Sequence, residues 1–120
     1  MKQYIPEKGD FIAVTFDPQS GHEQRGRRPA LVVSNTLFNQ RTGLAIVCPI
    51  TSTERGYPFH VTIADSPDIR GFVMVEQVKS IDFNARKAKL VGKASDDMLD
   101  EVLVSNSENG TNNKNRGAFL

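Results

Sequence analysis

Hydrophobic residues in this chain form short runs, several of them alternating with polar residues, and the runs end at Gly, Pro or charged clusters. Runs of this length that are rich in Val and Ile are typical of β-strands. They predict six strands, at 11–16, 30–35, 44–50, 59–64, 71–81 and 88–94. Six short strands at this spacing favour a small, strongly curved β-barrel, so the expected fold class is mainly β.

The hydrophobic period changes after the last predicted strand. Ser95 is a suitable helix N-cap because its hydroxyl can accept a hydrogen bond from the first turn, and two Asp residues follow it. The apolar positions then recur at helical spacing, at Leu99, Val102 and Leu103. This pattern predicts a C-terminal helix of about three turns that packs on the barrel and ends near Val104.

Two other segments interrupt the strand pattern. Residues 36–42 leave room for one helical turn before Gly43. Residues 105–120 are rich in Asn, Ser and Gly, and they contain too little apolar surface to offset their ordering entropy. We therefore predict one folded domain at 1–104, followed by a polar, flexible tail at 105–120.

Composition narrows the class of protein. The chain has 120 residues, 38% of them hydrophobic and 24% charged, which is typical of one soluble globular domain. No apolar stretch approaches the roughly 18 residues that span a bilayer, and the start of the chain lacks the apolar core of a signal peptide. We therefore expect a cytoplasmic protein with no membrane contact. The net charge of +1 means that any binding of nucleic acid must depend on local basic features.

The sequence offers few of the usual catalytic groups. The single cysteine, Cys48, lies inside an apolar run and is expected in the core. His22 and His60 lack metal-ligand spacing, and no phosphate-binding or nucleotide-binding glycine motif is present, so we expect neither metal nor cofactor. Catalysis would then depend on an acid, an arginine and hydroxyl groups. Such groups occur in GHEQRGRRP, residues 21–29, which we expect to be a loop.

Three segments in order resemble the signature segments of the MazF/PemK family of toxins from bacterial toxin–antitoxin pairs. They are GDFIAVTFDPQSGHEQRGRRPALVVSN (9–35), CPITSTERGYPFHV (48–61) and VMVEQVKSID (73–82). The resemblance implies a homodimer of SH3-like barrels, the PemK/CcdB-like toxin fold. It also implies an mRNA interferase, an endoribonuclease that cleaves single-stranded RNA at short sequences without a metal ion and so inhibits translation and growth. A cognate MazE-like antitoxin would silence it.

The resemblance also assigns roles to individual residues. It implies that Arg28 and Thr51 are catalytic, and that Glu23 is an acidic loop residue that matters in some members. The residues that it implies in the RNA groove are Gln24, Arg27, Phe16, Tyr57 and Gln77.

The chemistry of these side chains suits RNA cleavage. The RNA supplies its own nucleophile, the 2′-OH, so the protein has to align the strand, stabilise charge and move a proton. The planar guanidinium of Arg28 can meet two phosphoryl oxygens at once. Because an arginine pKa lies above about 12, Glu23 is the better acceptor for the 2′-OH proton. If the chain doubles back after Gly26, Glu23 lies near Arg28 and the loop at 21–29 covers the active site. Thr51 can donate its hydroxyl to a phosphoryl oxygen or fix the arginine.

Structural roles remain open for the same residues. Arg27 and Arg28 can be part of a solvated surface, or Arg28 can form a structural ion pair with Glu23. Thr51 can simply end a strand, because threonine is common there. Phe16 and Tyr57 suit the core or a dimer interface as well as base stacking.

Two other functions remain as alternatives. A poison of DNA gyrase of the CcdB type would share the fold and lack catalysis. Such toxins rely on aromatic and apolar residues at the extreme C-terminus, and this chain ends RGAFL without a terminal Trp, which favours the nuclease. An inactive remnant that binds RNA or an antitoxin would bind without cleaving.

Overall fold

The computed structural model of the chain describes residues 3–15, 27–54, 56, 59–64 and 66–109, except the side chains of 106–109. The strands are β1 (Asp10–Thr15), β2 (Arg27–Val32), β3 (Leu44–Thr51), β4 (His60–Ile63), β5 (Gly71–Met74), β6 (Lys79–Asp82) and β7 (Lys89–Lys93). The helices are α1 (Thr36–Thr42), a 3-10 helix (Val75–Gln77) and α2 (Asp96–Asn109).

The strands form one curled antiparallel sheet in the order β4-β5-β3-β2-β1-β7, with β6 also paired to β3. The predicted fold class, mainly β with a C-terminal helix, is confirmed. Successive residues of the central strands are buried on opposite faces, since Phe11 and Ile12 belong to separate core clusters. Both faces are therefore covered, which explains why these strands are almost continuously apolar in sequence.

The prediction of a single strand at 71–81 is wrong. The chain leaves the extended conformation at the 3-10 helix, where the Val78 N–H donates to the Val75 carbonyl (3.3 Å). Strand β5 before this turn pairs with the last residues of β3, and β6 after it pairs with the first residues of β3. The two short strands thus lie end to end along one edge of β3, and the described residues contain seven strands instead of six.

The start of β2 also differs from the prediction. Arg27 and Arg28 were expected in a loop, but both lie in β2, which pairs with β1 as far as Thr15. Their backbones are held in the sheet, so these two arginines do not belong to a loop that covers a site. The rest of the predicted loop, 17–26, lies outside the described residues.

Both predicted helices are present. Helix α1 is capped by Asn35, whose side chain accepts from the Phe38 N–H, and it ends at Gly43 with a φ of 74°. Helix α2 begins as predicted, because Ser95 Oγ accepts from the Met98 N–H (3.2 Å).

The predicted end of the C-terminal helix, near Val104, is wrong, because α2 continues to Asn109. Ser and Asn cost only a few tenths of a kcal/mol per residue in a helix, and elongation beyond a packed first half is inexpensive. The buried side chains of Met98 and Val102 provide that packed half. The division into a domain at 1–104 and a tail at 105–120 stays a prediction, and 110–120 lie outside the described residues.

A buried carboxylate ties the N-terminal segment to the sheet. Asp10 is 1% exposed and accepts hydrogen bonds from Tyr4 Oη (2.5 Å), the Glu7 N–H (3.0 Å) and Lys93 Nζ (2.7 Å). Burial, followed by the hydrogen bond to Asp10, raises the pKa of the Tyr4 hydroxyl well above its usual value. The hydrogen bond to Asp10 also raises the pKa of Lys93.

Cys48 is fully buried, which confirms its predicted place in the core. Burial and the nearby Glu76 raise the pKa of its thiol to about 12. Within the described ranges, no helix is long and apolar enough to cross a bilayer.

Candidate active site

A cavity of about 460 Å³ opens where β2 begins and β3 ends. Its walls consist of Arg27, Arg28, Pro29, Ile50, Thr51, Ser52, Thr53 and Arg70. Three of these side chains are guanidinium groups, three carry hydroxyls and none of these eight is acidic. Such a lining attracts anions and offers them hydrogen-bond donors.

Strand pairing brings the two predicted catalytic residues together. In the ladder between β2 and β3, Ala30 lies opposite Pro49 and Leu31 opposite Cys48. The ladder ends at Ala30 and Pro49, and Arg28 and Thr51 lie two residues beyond that last pair on their respective strands. Both residues line the cavity, so the structure joins side chains that are distant in sequence.

The two adjacent arginines are used differently. The Arg27 guanidinium donates to the Lys87 carbonyl (3.0 Å), the Ala13 carbonyl (3.3 Å) and Thr15 Oγ1 (3.4 Å). It therefore fastens β2 to β1 and to the turn before β7. The Arg28 side chain is exposed, and no hydrogen bond or ion pair joins it to another of the described residues. Arg28 is thus the arginine of this pair that can engage a ligand through its whole guanidinium group.

The Thr51 hydroxyl is oriented by the backbone that follows it. The Thr53 N–H donates to Thr51 Oγ1 (3.2 Å), so one acceptor position of the hydroxyl is occupied. A hydroxyl that accepts in this way keeps its own proton for donation. Thr51 can therefore donate to a phosphoryl oxygen in the cavity.

Gly71, at the start of β5, holds the backbone of Thr51 in place. Its φ is 128°, and a Cβ added there would lie 2.3 Å from the Thr51 carbonyl oxygen. No side chain fits into that space. The close approach fixes the end of β3 against β5, and it also fixes the residue before Gly71, Arg70.

Sequence analysis missed Arg70 and Gly71. Arg70 lies in a segment without a recognisable motif, and its place in the cavity wall follows from the pairing of β5 with β3. A weak signal was available for Gly71. A glycine at the start of an apolar run often marks a close backbone approach.

Of the remaining predicted site residues, only Gln77 is among those that the structure describes. Glu23, Gln24, Phe16 and Tyr57 lie outside the described residues. Gln77 is exposed on the 3-10 helix and is not part of the cavity wall.

The described residues also include one close histidine–carboxylate pair outside the cavity. His60 Nε2 lies 2.9 Å from Glu76 Oε2, and the histidine side chain is 4% exposed. Among all the residues that the structure describes, no group of three or more His, Cys, Asp or Glu side chains is arranged to hold a metal ion.

Comparison with known proteins gives this cavity a context. Residues 7–105 match the family model described as a PemK-like, MazF-like toxin of type II toxin–antitoxin system. The chain belongs to the PemK/MazF toxin family. Its curated relatives include the endoribonuclease toxin ChpB of Escherichia coli (strain K12), 45% identical over 103 residues, or 82% of this chain and 88% of ChpB. The endoribonuclease toxin MazF of the same strain is 39% identical over 99 residues, with the same shares covered.

Solved structures agree with this membership in the PemK/MazF family. A MazF from Deinococcus radiodurans superposes with a TM-score of 0.79 at 40% identity, covering 88% of this chain and 96% of that one. A MazE–MazF structure from the same organism gives a TM-score of 0.78 at 35% identity and covers 88% and 95% of the two chains. These relatives favour the endoribonuclease prediction over the gyrase-poison alternative.

Proposed function

We propose that this chain is the toxin of a bacterial toxin–antitoxin pair and an endoribonuclease that cuts single-stranded RNA, such as mRNA, at short sequences without a metal ion. The observation that carries the proposal is the meeting of Arg28 and Thr51 in one basic cavity, in a chain of the PemK/MazF family. Two of the curated relatives described above are named endoribonuclease toxins.

The proposed reaction begins with attack by the RNA 2′-OH on the adjacent phosphorus. A bond forms between the 2′ oxygen and phosphorus, and the bond from phosphorus to the 5′ oxygen breaks. The products are a 2′,3′-cyclic phosphate and a free 5′-OH, once the leaving oxygen has taken a proton from solvent. Negative charge grows on the two non-bridging oxygens during the attack, which is where an enzyme gains most by placing donors.

Arg28 and Thr51 supply those donors. The Arg28 guanidinium presents two parallel N–H groups to the non-bridging oxygens, and the Thr51 hydroxyl adds a third donor from the neighbouring strand. Both side chains sit on paired strands, so little reorganisation is needed when the charge develops.

A carboxylate is the appropriate acceptor for the 2′-OH proton, and we assign that role to Glu23. Glu23 lies outside the described residues, so the assignment depends on the family resemblance and on the poor basicity of arginine. Roles in RNA binding for Gln24, Phe16 and Tyr57 stay predictions from the same resemblance. So do those of Arg27, which lines the cavity but is hydrogen-bonded within the sheet, and of Gln77, which is outside the cavity wall.

The proposal extends to the partners of the chain. Solved relatives are described as MazE–MazF complexes, so we propose a MazE-like antitoxin whose acidic segment competes with RNA for the basic cavity. We also propose a homodimer that acts in the cytoplasm, where mRNA is available.

The test of the proposed function is cleavage of a long single-stranded RNA by the purified protein in excess EDTA. We expect discrete fragments, and we expect them to vanish when 2′-deoxy sugars replace the ribose at the mapped cut sites. Intact RNA in the presence of folded protein would refute the proposed activity. Cleavage that persists at 2′-deoxy sites would refute the 2′-OH mechanism.

Three substitutions test the two donors. Arg28→Ala should lower the cleavage rate by about 10²- to 10³-fold, and Arg28→Lys should restore only part of it, because an ammonium group cannot bond both oxygens in a fork. Thr51→Val should lower the rate by about 10²-fold. Thr62→Val is the matched control, since Thr62 is an exposed threonine on β4 outside the cavity wall. Equal rates for Thr51→Val and Thr62→Val would remove Thr51 from the mechanism.

A further inference from the structure

We propose that Arg70 binds a backbone phosphate of the RNA next to the one that is cut, and so positions the strand over Arg28 and Thr51. This inference rests on the proposed function. It makes Arg70 a substrate-binding residue that touches no reacting atom.

The location of Arg70 is fixed through Gly71. The backbone of Gly71 lies against the Thr51 carbonyl too closely for any side chain, so the position of residue 70 relative to Thr51 is set by the sheet. From there Arg70 reaches the wall of the same cavity as Arg28. A ligand in this cavity that contacts the end of β3 therefore meets a wall that carries both guanidinium groups.

The side chain of Arg70 is exposed and has no structural task among the described residues. No hydrogen bond or ion pair links it to another of them. Arg27 shows what a structural arginine looks like at this site, with its guanidinium committed to two carbonyls and one hydroxyl. Three arginines around one cavity with no acidic wall residue give it a positive potential, which a bound anion would neutralise.

Phosphate is the anion that fits this environment best. A guanidinium group matches the paired oxygens of a phosphodiester, and the hydroxyls of Thr51, Ser52 and Thr53 add neutral donors along the same wall. A volume of about 460 Å³ lies within the usual range of ligand pockets, roughly 300–1,000 Å³, so the cavity has room for more than one phosphate group. Arg28 and Thr51 take the phosphate that reacts, and Arg70 takes its neighbour.

The first experiment measures binding without cleavage. The probe is a fluorescein-labelled single-stranded DNA of mixed sequence, which lacks the 2′-OH and stays intact, titrated with wild type, Arg70→Ala and Arg70→Lys at several salt concentrations. The matched control is Arg41→Ala, which removes an exposed arginine from the last turn of α1, outside the cavity wall. Unchanged circular dichroism and melting temperature establish that each variant is folded.

We expect Arg70→Ala to weaken binding by about 5- to 10-fold and to reduce the slope of log K against log salt by about 0.7, the value for one phosphate contact on a single strand. Arg70→Lys should restore the slope, and Arg41→Ala should match the wild type. Arg70→Ala that behaves like Arg41→Ala would overturn the inference. So would normal DNA binding combined with loss of affinity for an acidic peptide such as poly-glutamate, because Arg70 would then serve a protein partner.

The second experiment separates this inference from the proposed function. With cleavable RNA in EDTA, Arg70→Ala should raise KM about 5- to 10-fold with kcat near the wild-type value, whereas Arg28→Ala should lower kcat. If the wild type leaves RNA intact, the proposed function fails and the DNA titration still decides the role of Arg70. If the wild type cleaves and Arg70→Ala has an unchanged KM, the phosphate-binding role of Arg70 alone fails.

Discussion

Arg70 and Gly71 are neighbours with opposite requirements for a side chain. At Gly71 the Thr51 carbonyl occupies the place of a Cβ, whereas at Arg70 a long side chain extends into open space at the cavity. One residue fixes the geometry of the site, and the next supplies charge to it. The two roles can be separated by substitution.

Gly71→Ala should damage the site as well as the fold. Its Cβ would clash with the backbone at Thr51 and strain a positive φ, so we expect a loss of more than 2 kcal/mol in the free energy of unfolding and at least a tenfold loss of cleavage in the protein that remains folded. Gly43→Ala is the control, because Gly43 has a φ of 74° and open space around it. Gly43→Ala should lower the free energy of unfolding, measured by urea denaturation, by about 1–2 kcal/mol. It should leave the rate of RNA cleavage per folded molecule unchanged.

The prediction for Gly71 is contradicted if both alanine variants cleave RNA at the wild-type rate per folded molecule. In that case the contact with Thr51 would be a matter of stability alone.

At this scale, sequence analysis predicted Arg28 and Thr51 but did not predict the residues beside Thr51 that hold the end of β3 in place. Arg28 and Thr51 could be identified because each lies in a segment with recognisable neighbours. Arg70 and Gly71 act through a backbone contact between β3 and β5, and that pairing is a property of the folded sheet. Local sequence does not encode which carbonyl will occupy the space beside a glycine.

Strand β3 is the element that organises the site. Its first half pairs with β6 and its end pairs with β5, while β2 lies on its other edge. The apolar run 71–81 contains both partner strands, and its hydrophobicity alone could not reveal the break, because Val75 in the 3-10 helix is as buried as a strand residue. The partner strand, which is distant in sequence, determines where the run divides.

Helix α2 stabilises the sheet through one face. Val102 is fully buried in the core, whereas Val104, two residues later, is 58% exposed. Val102→Ala should lower the free energy of unfolding by about 2 kcal/mol, since it removes two buried methyl groups and leaves a cavity. Val104→Ala should change it by less than about 0.5 kcal/mol. Chemical denaturation of both variants checks this, and equal losses would mean that α2 packs on the sheet through a different face.

The N-terminal segment should loosen at alkaline pH. Folding raises the pKa of Tyr4 and of Lys93, so the folded state holds these protons more tightly and their stabilisation is complete below about pH 10. It is lost as the pH rises further, with Tyr4 contributing more because Lys93 is 60% exposed and screened by solvent. Urea midpoints of the wild type should therefore fall as the pH rises from about 10 to 11.

Tyr4→Phe isolates that contribution. It removes the titrating hydroxyl and one hydrogen bond to Asp10, so the variant should be about 1 kcal/mol less stable at pH 8 and should lose less further stability by pH 11. Cys48 titrates in the same direction in both proteins, so its effect cancels in the comparison. Parallel pH profiles for the two proteins would argue against a role for Tyr4 in the alkaline transition.

The molecule as a whole is a curled sheet with a core on each face. Helix α2 covers the cluster that contains Phe11 and Cys48, and the segment around Tyr4 and Ile5 covers the cluster that contains Ile12. The basic cavity lies at one end of this doubly covered sheet, and five of its eight wall residues belong to β2 or β3. Alternating burial on both faces was predictable from the apolar runs, whereas the order of the strands required the structure.

Cys48 reports on the integrity of the whole fold. Its thiol has no exposed surface and a pKa of about 12, so it should be unreactive toward a thiol reagent in the native protein at pH 8. We expect labelling to proceed only at the rate of global opening and to become complete in denaturant. Rapid modification of the folded protein, followed in a disulfide-exchange assay, would contradict the burial of Cys48.

A lone, inaccessible thiol makes the natural chain ready for site-specific spectroscopy. Any cysteine introduced at the surface would be the single position that takes a dye, with no need to remove a native residue and disturb the core. A fluorophore on Ser52→Cys would report on the cavity as RNA binds, and one on Leu37→Cys, an exposed position of α1 outside the cavity wall, would provide the reference. The geometry of substrate capture thereby becomes accessible to time-resolved measurement in solution.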